Sequence, residues 1–469
     1  MTAKTTLNPE TLKSAHSTPV QTAVVSAHAG RSGSPPSQIA TVGFVLFCAY
    51  LLSGFANDWS LRLFASKAYL STVTLFLLPV AWLFSGNALR GFHTRTGRCW
   101  IAFLLWMLLA APFSVWRGGS AALIANYVPR AWFCFFYTCS FATSLRRCRQ
   151  LMYVQIGAAA ALLLSCAVFG DTPVGDSSDT RFRIPHSLFF ANSNDLALAL
   201  LLGICSFLFL LTRPSIGSRL TGVAGVLVAA FYAFQTGSRG SVIAAFSTFG
   251  LISWISRGRW KVVALGLSAF GVLLAAIIVG APSSTVHRFS LLLNSPASSR
   301  SETTADVASI ASQKQRQELF HTSMRYTLMH PLFGVGPDQF SNAVEQEAAR
   351  SGRHEPWLGT HNTYTQISSE CGIPALIFYA AVIVLCLRSN FRLYLRTRDR
   401  RAHRELAALS RCLLAGTCVY AVSACFFHMA YSADLPLLAG FTVALQLISR
   451  PTDPSKSRAF ACSAAGTSL

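Results

Sequence analysis

Two stretches decide what this chain can fold into. From Ala199-Leu200-Leu201-Leu202 through Phe207-Leu208-Phe209-Leu210-Leu211, and again from Val262 to Val279, the sequence offers no polar face. A soluble helix needs such a face to meet water, whereas a helix crossing a bilayer needs about 20 consecutive apolar residues and no polar side. Twelve apolar runs can be read along the 469 residues, at 39–56, 68–85, 99–116, 122–144, 151–170, 187–211, 220–236, 240–256, 261–281, 372–388, 409–431 and 433–449. Composition agrees, since 52% of residues are hydrophobic and only 12% charged, about half the charged fraction of a soluble domain. The apolar content excludes disorder over most of the length. The 31 glycines without a period exclude a collagen-like chain, and 13 scattered cysteines exclude a disulfide scaffold. The expected fold class is an all-α polytopic membrane protein with about twelve transmembrane helices.

Lysine and arginine set the orientation. Sorted onto alternate sides of the twelve runs, 25 of the 39 fall on one face, with a dense cluster from Arg388 to Arg411, and 14 on the other. Short loops rich in Lys and Arg stay in the cytoplasm, so both termini are expected inside. Four acids share that side and 14 the other, so the net charge of +21 is cytoplasmic and the outer side sums to zero. The predicted organisation is a disordered, retained tail over 1–38, transmembrane helices one to nine over 39–281 and an outer loop over 282–371. Helices ten to twelve follow over 372–449, and a tail over 450–469. Within the loop, Ser309–Met329 and Asp338–Ala349 have helical composition, and loops of this length without function are uncommon.

The basic cluster is accounted for by topology and by anionic lipid headgroups, worth about 1 kcal/mol per residue near the surface. No aromatic platform accompanies it, so nucleic acid is not an expected partner. No CxxC pair or Cys/His cluster has metal-ligand spacing, and neither a metal nor another cofactor is expected. Arg130, inside the fourth run and next to Pro129, is a candidate lipid-phosphate contact or the mark of an interfacial segment before a shorter span.

Three outer-face segments carry chemistry. In the first, Arg181 and Arg183 lead through Asn192, Ser193, Asn194 and Asp195 into the sixth run. The asparagines are good N-caps, and arginines beside orphan N–H groups also make an anion site. The second is the tight turn Gly237-Ser238-Arg239-Gly240-Ser241, where Arg239 is either an interfacial snorkeller or a side chain aimed by its glycines at a ligand. The third is the end of the long loop: Arg316-Gln317-Glu318-Leu319-Phe320, Arg325, His330 to Pro337, and His361-Asn362-Thr363-Tyr364, with Glu370 opening the tenth run. A lone loop histidine is usually a surface group, but His361 is joined by Asn362, Tyr364 and Glu370 at the membrane edge.

At these residues the sequence resembles the O-antigen ligase and O-antigen polymerase superfamily of bacterial envelope glycosyltransferases. The matching segments are Gly237 to Ser241, the ANSNDLALALLL start of the sixth run, Arg316 to Phe320, His330 to Phe340 and His361 to Tyr379. They cover the second half of the chain; the first five runs match in hydropathy alone. The resemblance implies transfer of a glycan from an undecaprenyl-diphosphate carrier to a hydroxyl acceptor, such as a lipid A core sugar, at the periplasmic face of the bacterial inner membrane. It implies no metal. Carried over by motif, Arg239, Arg316 and His361 are the catalytic candidates. Arg181, Arg183, Asn192, Asn194, Arg325, Asn362, Tyr364 and Glu370 are candidates for substrate binding. Phe320 stands where the family often has Trp, and the usual Gly-rich lead-in before the sixth run is missing, which weakens the transfer to Arg181 and Arg183.

The chemistry fits independently. Departure of a lipid diphosphate develops negative charge that bidentate arginines stabilise, and a sugar hydroxyl needs a base near neutral pH, which histidine supplies. Polymerase and protein O-oligosaccharyltransferase activity are the alternatives within the superfamily. A twelve-span secondary transporter and a membrane scaffold are the alternatives outside it; the two halves of the chain look unlike, which counts against the transporter.

Overall fold

The structure is a computed structural model that describes residues 38–64, 69–171, 181–187, 190, 192–256, 266, 304–354 and 357–450. The expected ninth run at 261–281, except residue 266, lies outside the described residues, as do the loop up to residue 303 and the tails over 1–37 and 451–469.

In chain order the helices are α1 (Gln38–Phe64), α2 (Leu70–Leu83), α3 (Arg95–Ala110), α4 (Arg117–Tyr127), α5 (Cys134–Phe141), α6 (Leu145–Phe169) and α7 (Ser193–Leu210). They continue with α8 (Ile216–Gln235), α9 (Arg239–Ile255), α10 (Thr304–Met329), α11 (Phe340–Arg350), α12 (Thr363–Thr397), α13 (Arg404–Ser423) and α14 (Asp434–Ser449). Among the described residues the only extended pairing is one antiparallel bridge, Asp171 with Arg183. Polar caps fix several starts: Thr94 accepts from Gly97 N–H at 3.0 Å, and Asn192 accepts from Asn194 N–H at 2.9 Å.

Seven helical segments are long and apolar enough to cross a membrane: Gln38–Phe64, Arg95–Phe113, Leu145–Phe169, Ser193–Leu210, Ile216–Gln235, Thr363–Thr397 and Arg401–Ser423. Three more, α2, α9 and α14, are apolar but shorter. The chain is therefore a multi-pass membrane protein, and the described residues supply seven full-length spans where twelve were expected.

Three of the expected runs differ from the helices that form. The fourth run, 122–144, is not one helix. Pro129 removes a backbone donor, the ladder loosens into a π turn over Val128–Trp132, and α4 and α5 stand on either side, with Arg130 exposed in the turn. The tenth run belongs to a helix that starts earlier, at Thr363, and breaks at Gly372. The eleventh, 409–431, is shifted: α13 begins at Arg404 and stops at Ser423, leaving 424–433 as a loop.

The helices sort into inner and outer ones. The apolar windows of α13 and α7 are 78% and 67% buried, against 28% for α1 and 22% for α8. The outer helices expose Val45, Leu220 and Val228, and α2 and α9 expose Phe76 and Trp254; in a membrane protein such surface meets lipid. α12 packs on α13 and α3, and α7 on α8, α13 and α6. Aromatic rings fill the centre: Trp100 and Phe103 of α3 stack at 5.5 Å, and Phe103 meets Tyr379 of α12 at 5.3 Å.

The break in α12 is held from outside. Pro374 has no N–H to give the Glu370 carbonyl, and Gly372 at φ 86° turns the chain out of the helix. The loop 330–337 supplies the missing bonds. Val335 N–H donates to Ser369 O at 2.8 Å, Gly336 N–H to Glu370 O at 2.9 Å, and Ile373 N–H to Pro331 O at 2.8 Å. A Cβ on Gly372 would lie 1.9 Å from Leu332 O, and one on Gly334 2.3 Å from the Glu370 carbonyl carbon, so both positions need glycine. Trp106 of α3 closes the joint, its indole N–H shared between Leu332 O at 3.0 Å and Cys371 O at 3.2 Å. Phe333 stacks on Phe113 at 4.4 Å.

Candidate active site

The end of the bundle that begins α12 gathers the polar candidates. Asn362 caps the helix, accepting from Tyr364 N–H at 2.9 Å and Thr365 N–H at 3.1 Å. One residue earlier, His361 adopts φ 51°, a left-handed conformation that costs a non-glycine residue about 1–2 kcal/mol. The first turn of α12 is stapled to the loop after α13. Thr363 N–H donates to Ala424 O at 2.8 Å and the Asn362 amide to Cys425 O at 3.1 Å. The Thr363 hydroxyl donates to Phe427 O at 2.6 Å and accepts from Met429 N–H at 3.1 Å, while Ala430 N–H donates to the Gln366 side chain at 3.2 Å.

These staples present His428 edge-on to His361, with ring centroids 5.1 Å apart and planes at 77°. Gly359 backs the pair: a Cβ there would come within 3.1 Å of the His428 ring. Sequence reasoning missed His428 because it assigned 409–431 to one span. The signal was available, since a helix from Arg404 already reaches about 30 Å by Ser423, and Tyr431, Ser432 and Asp434 soon follow His428.

The arginines approach from two further sides. Phe182 N–H donates to Gln235 O at 3.3 Å, which lays the 181–187 segment against the turn between α8 and α9. Arg181 passes Gly237, with Cγ 3.6 Å from where a Cβ would sit, and donates to the Asn194 side-chain oxygen at 3.5 Å, at the start of α7. Arg239 is the first residue of α9, and its neighbour Gly240 packs on Phe426 of the loop that carries His428; a Cβ there would lie 2.6 Å from Phe426. Arg316 comes from α10.

The charges of Arg316 and Arg181 meet at His361. Burial pushes its imidazole down to about 4, and the neighbouring His428, Arg316 and Arg181 push in the same direction. Burial lowers His428 as well. Burial thus favours the uncharged form of both rings, the form in which His361 can accept a proton.

The remaining candidates stand elsewhere. Tyr364 gives its hydroxyl to Ala421 O at 2.8 Å, and Asn192 is occupied as the cap of α7. Arg325, on α10, forms a bidentate pair with Glu347 of α11 at 2.8 and 2.7 Å. Arg183 bridges Asp171 through its backbone, and its Nε is buried without a hydrogen-bond partner among the described residues. Glu370 is 3% exposed; its carboxylate accepts from Tyr431 O–H at 2.7 Å and Asp338 N–H at 3.0 Å. It braces α12 to loop 330–338 and to the His428 loop. Among the described residues no group of three or more His, Cys, Asp or Glu side chains stands where it could hold a metal ion.

Residues 224–380 match a family model described as O-antigen ligase. The matched stretch runs from α8 into α12 and contains Arg239, Arg316 and His361; Arg181, Asn194 and His428 lie outside it. No curated protein matches the chain.

Proposed function

We propose that the chain, whose residues 224–380 match an O-antigen ligase model, is a member of that superfamily and moves a glycan from undecaprenyl diphosphate to a hydroxyl acceptor. The active face is the periplasmic side of the inner membrane, both termini are cytoplasmic, and the acceptor is a lipid A core sugar. The observation that carries the reading is an uncharged histidine, His361, set among Arg316, Arg181 and His428 at one end of a bundle of apolar helices.

Each group has a task. The acceptor oxygen forms a bond to the anomeric carbon while the bond from that carbon to the diphosphate oxygen breaks. His361 takes the acceptor's proton, and the arginines hold the charge that develops on the departing lipid diphosphate. Bidentate guanidinium contacts supply that stabilisation without a metal, so activity is expected to persist in EDTA. Donor binding also prepares the base. A diphosphate seated among the arginines opposes the charges that depress His361, so its proton affinity rises once the donor is in place.

The test is the envelope glycan profile of a strain lacking this chain. Accumulated lipid-linked polymer supports the ligase. Single repeat units on the core would assign the chain to the polymerases, and an unchanged lipopolysaccharide with unglycosylated envelope proteins to protein O-glycosylation. Movement of substrate across proteoliposomes without any glycan transfer would overturn the enzyme reading.

A further inference from the structure

One ridge of α10 is apolar and yet partly exposed. Phe320, Met324 and Leu328 follow each other at i, i+4 spacing and are 42%, 38% and 72% exposed; Met329 and Leu332 extend the surface at 60% and 58%. The same ridge begins with Arg316, one turn before Phe320. A ridge of this kind places its members side by side along the helix, so Arg316 and Leu328 mark a track about 18 Å long.

The track has a direction. At its start, Arg316 acts on His361, at the beginning of α12. Near its end, the Thr327 hydroxyl bonds the Ser368 hydroxyl at 2.8 Å, and the following loop docks at Gly372, well along α12. α10 thus runs parallel to the first part of α12, from the candidate site toward the membrane-spanning part. There Phe333 stacks on Phe113 and on Trp106, at 4.4 and 5.6 Å. These two rings belong to the Arg95–Phe113 span, whose Leu105, Leu109 and Phe113 are 55%, 55% and 63% exposed. The exposed apolar side chains of this span and of the ridge thus meet at one joint, and the ridge leads from there to a guanidinium.

We propose that this ridge carries the hydrocarbon chain of the donor, a polyprenyl diphosphate, leading it from the bilayer to the point where its diphosphate meets Arg316. The inference rests on the donor being a lipid diphosphate, as proposed above. A cationic head on an apolar track complements an amphiphile with an anionic head and a long tail, and burial of the tail on Phe320, Met324 and Leu328 is favourable in proportion to the area covered. Lipid-tail contact also explains why large side chains at the outer end of the bundle are left uncovered by protein.

The experiment uses the full chain in nanodiscs of phosphatidylethanolamine and phosphatidylglycerol, with a glycan-free polyprenyl diphosphate bearing a photoreactive diazirine partway along its chain. Label is expected on peptides spanning 316–332, displaced by unlabelled polyprenyl diphosphate and not by extra phospholipid. Met324→Gln with Leu328→Gln should raise the probe concentration for half-maximal labelling about tenfold, since two apolar side chains no longer cover hydrocarbon. Label outside 316–332, label displaced equally by phospholipid, or labelling unaffected by the two substitutions would each overturn the proposal. A labelled ridge in a protein that transfers no glycan would instead overturn the glycosyltransferase reading and leave the lipid track standing.

Discussion

Two joints on α12 use similar materials for opposite ends. At Gly372, loop 330–337, α3 and α12 meet, and the carbonyls of Ser369 and Glu370, freed by the break, are taken by Val335 and Gly336 N–H. At His361, some three helical turns away, the backbone is equally well tied, and imidazoles and guanidiniums gather around one ring. The first joint has the bonding of a structural core; the second resembles a binding site, where charge is concentrated for a partner of opposite sign. The contrast separates two kinds of residue that sequence reading had grouped together: Glu370 belongs to the first joint, His361 to the second.

The contrast can be broken by substitution. His361→Ala should lower glycan transfer by about 10² to 10⁴, the range for a general base, with normal amounts of protein in the membrane; wild-type transfer in a complemented deletion strain would remove histidine from the mechanism. Gly372→Ala should act the other way, costing about 3 kcal/mol of stability or more because φ 86° and the Leu332 carbonyl both oppose a Cβ. Its signature is a lost or heat-labile protein, read by the thermal unfolding midpoint in detergent.

The pH dependence sharpens the second joint. His361 sits at about 4 instead of the ordinary 6.5, so kcat/KM should hold as pH falls through about 6.5 and drop only near about 4. The profile of kcat should fall at higher pH, because the bound diphosphate restores proton affinity. Stability has the matching sign. The unfolded chain takes up this proton near 6.5 and the fold does not until about 4, so lowering pH across that window weakens the fold, and His361→Gln should flatten that loss. Arg239→Lys should reduce transfer about tenfold, since a point charge does not reproduce a bidentate fork; a glycan profile identical to wild type would count against a phosphate contact. The smallest effect belongs to Arg325→Ala, which breaks an exposed pair with Glu347 worth about 1 kcal/mol or less and should leave transfer unchanged.

Much of the fold was legible because bilayer physics writes itself into run length. The runs matching α1, α6 and α7 needed nothing beyond hydropathy, and Asn192 could be read as a cap from its place before an apolar segment. The fourth run misled because Pro129 acts on hydrogen bonding, to which hydropathy is blind. Glu370 shows a different limit. A carboxylate at the edge of a span is costly, and sequence cannot tell whether that cost is met by a substrate or, as here, by Tyr431 and Asp338. His361, Arg316 and Arg181 were legible as residue types near membrane ends, whereas His428 was hidden by one misplaced boundary. Nothing in the spacing links Gly336 to Glu370; their pairing is a property of the folded backbone alone.

The borrowed hydrogen bonds at the break in α12 bear on how the chain is made. Ser369 and Glu370 cannot close their own ladder, and a carbonyl left open in hydrocarbon costs several kcal/mol. The backbone of α12 is therefore complete at the break only once loop 330–337, which leaves the ribosome before it, is in place, so that finishing this helix is tied to a segment outside it.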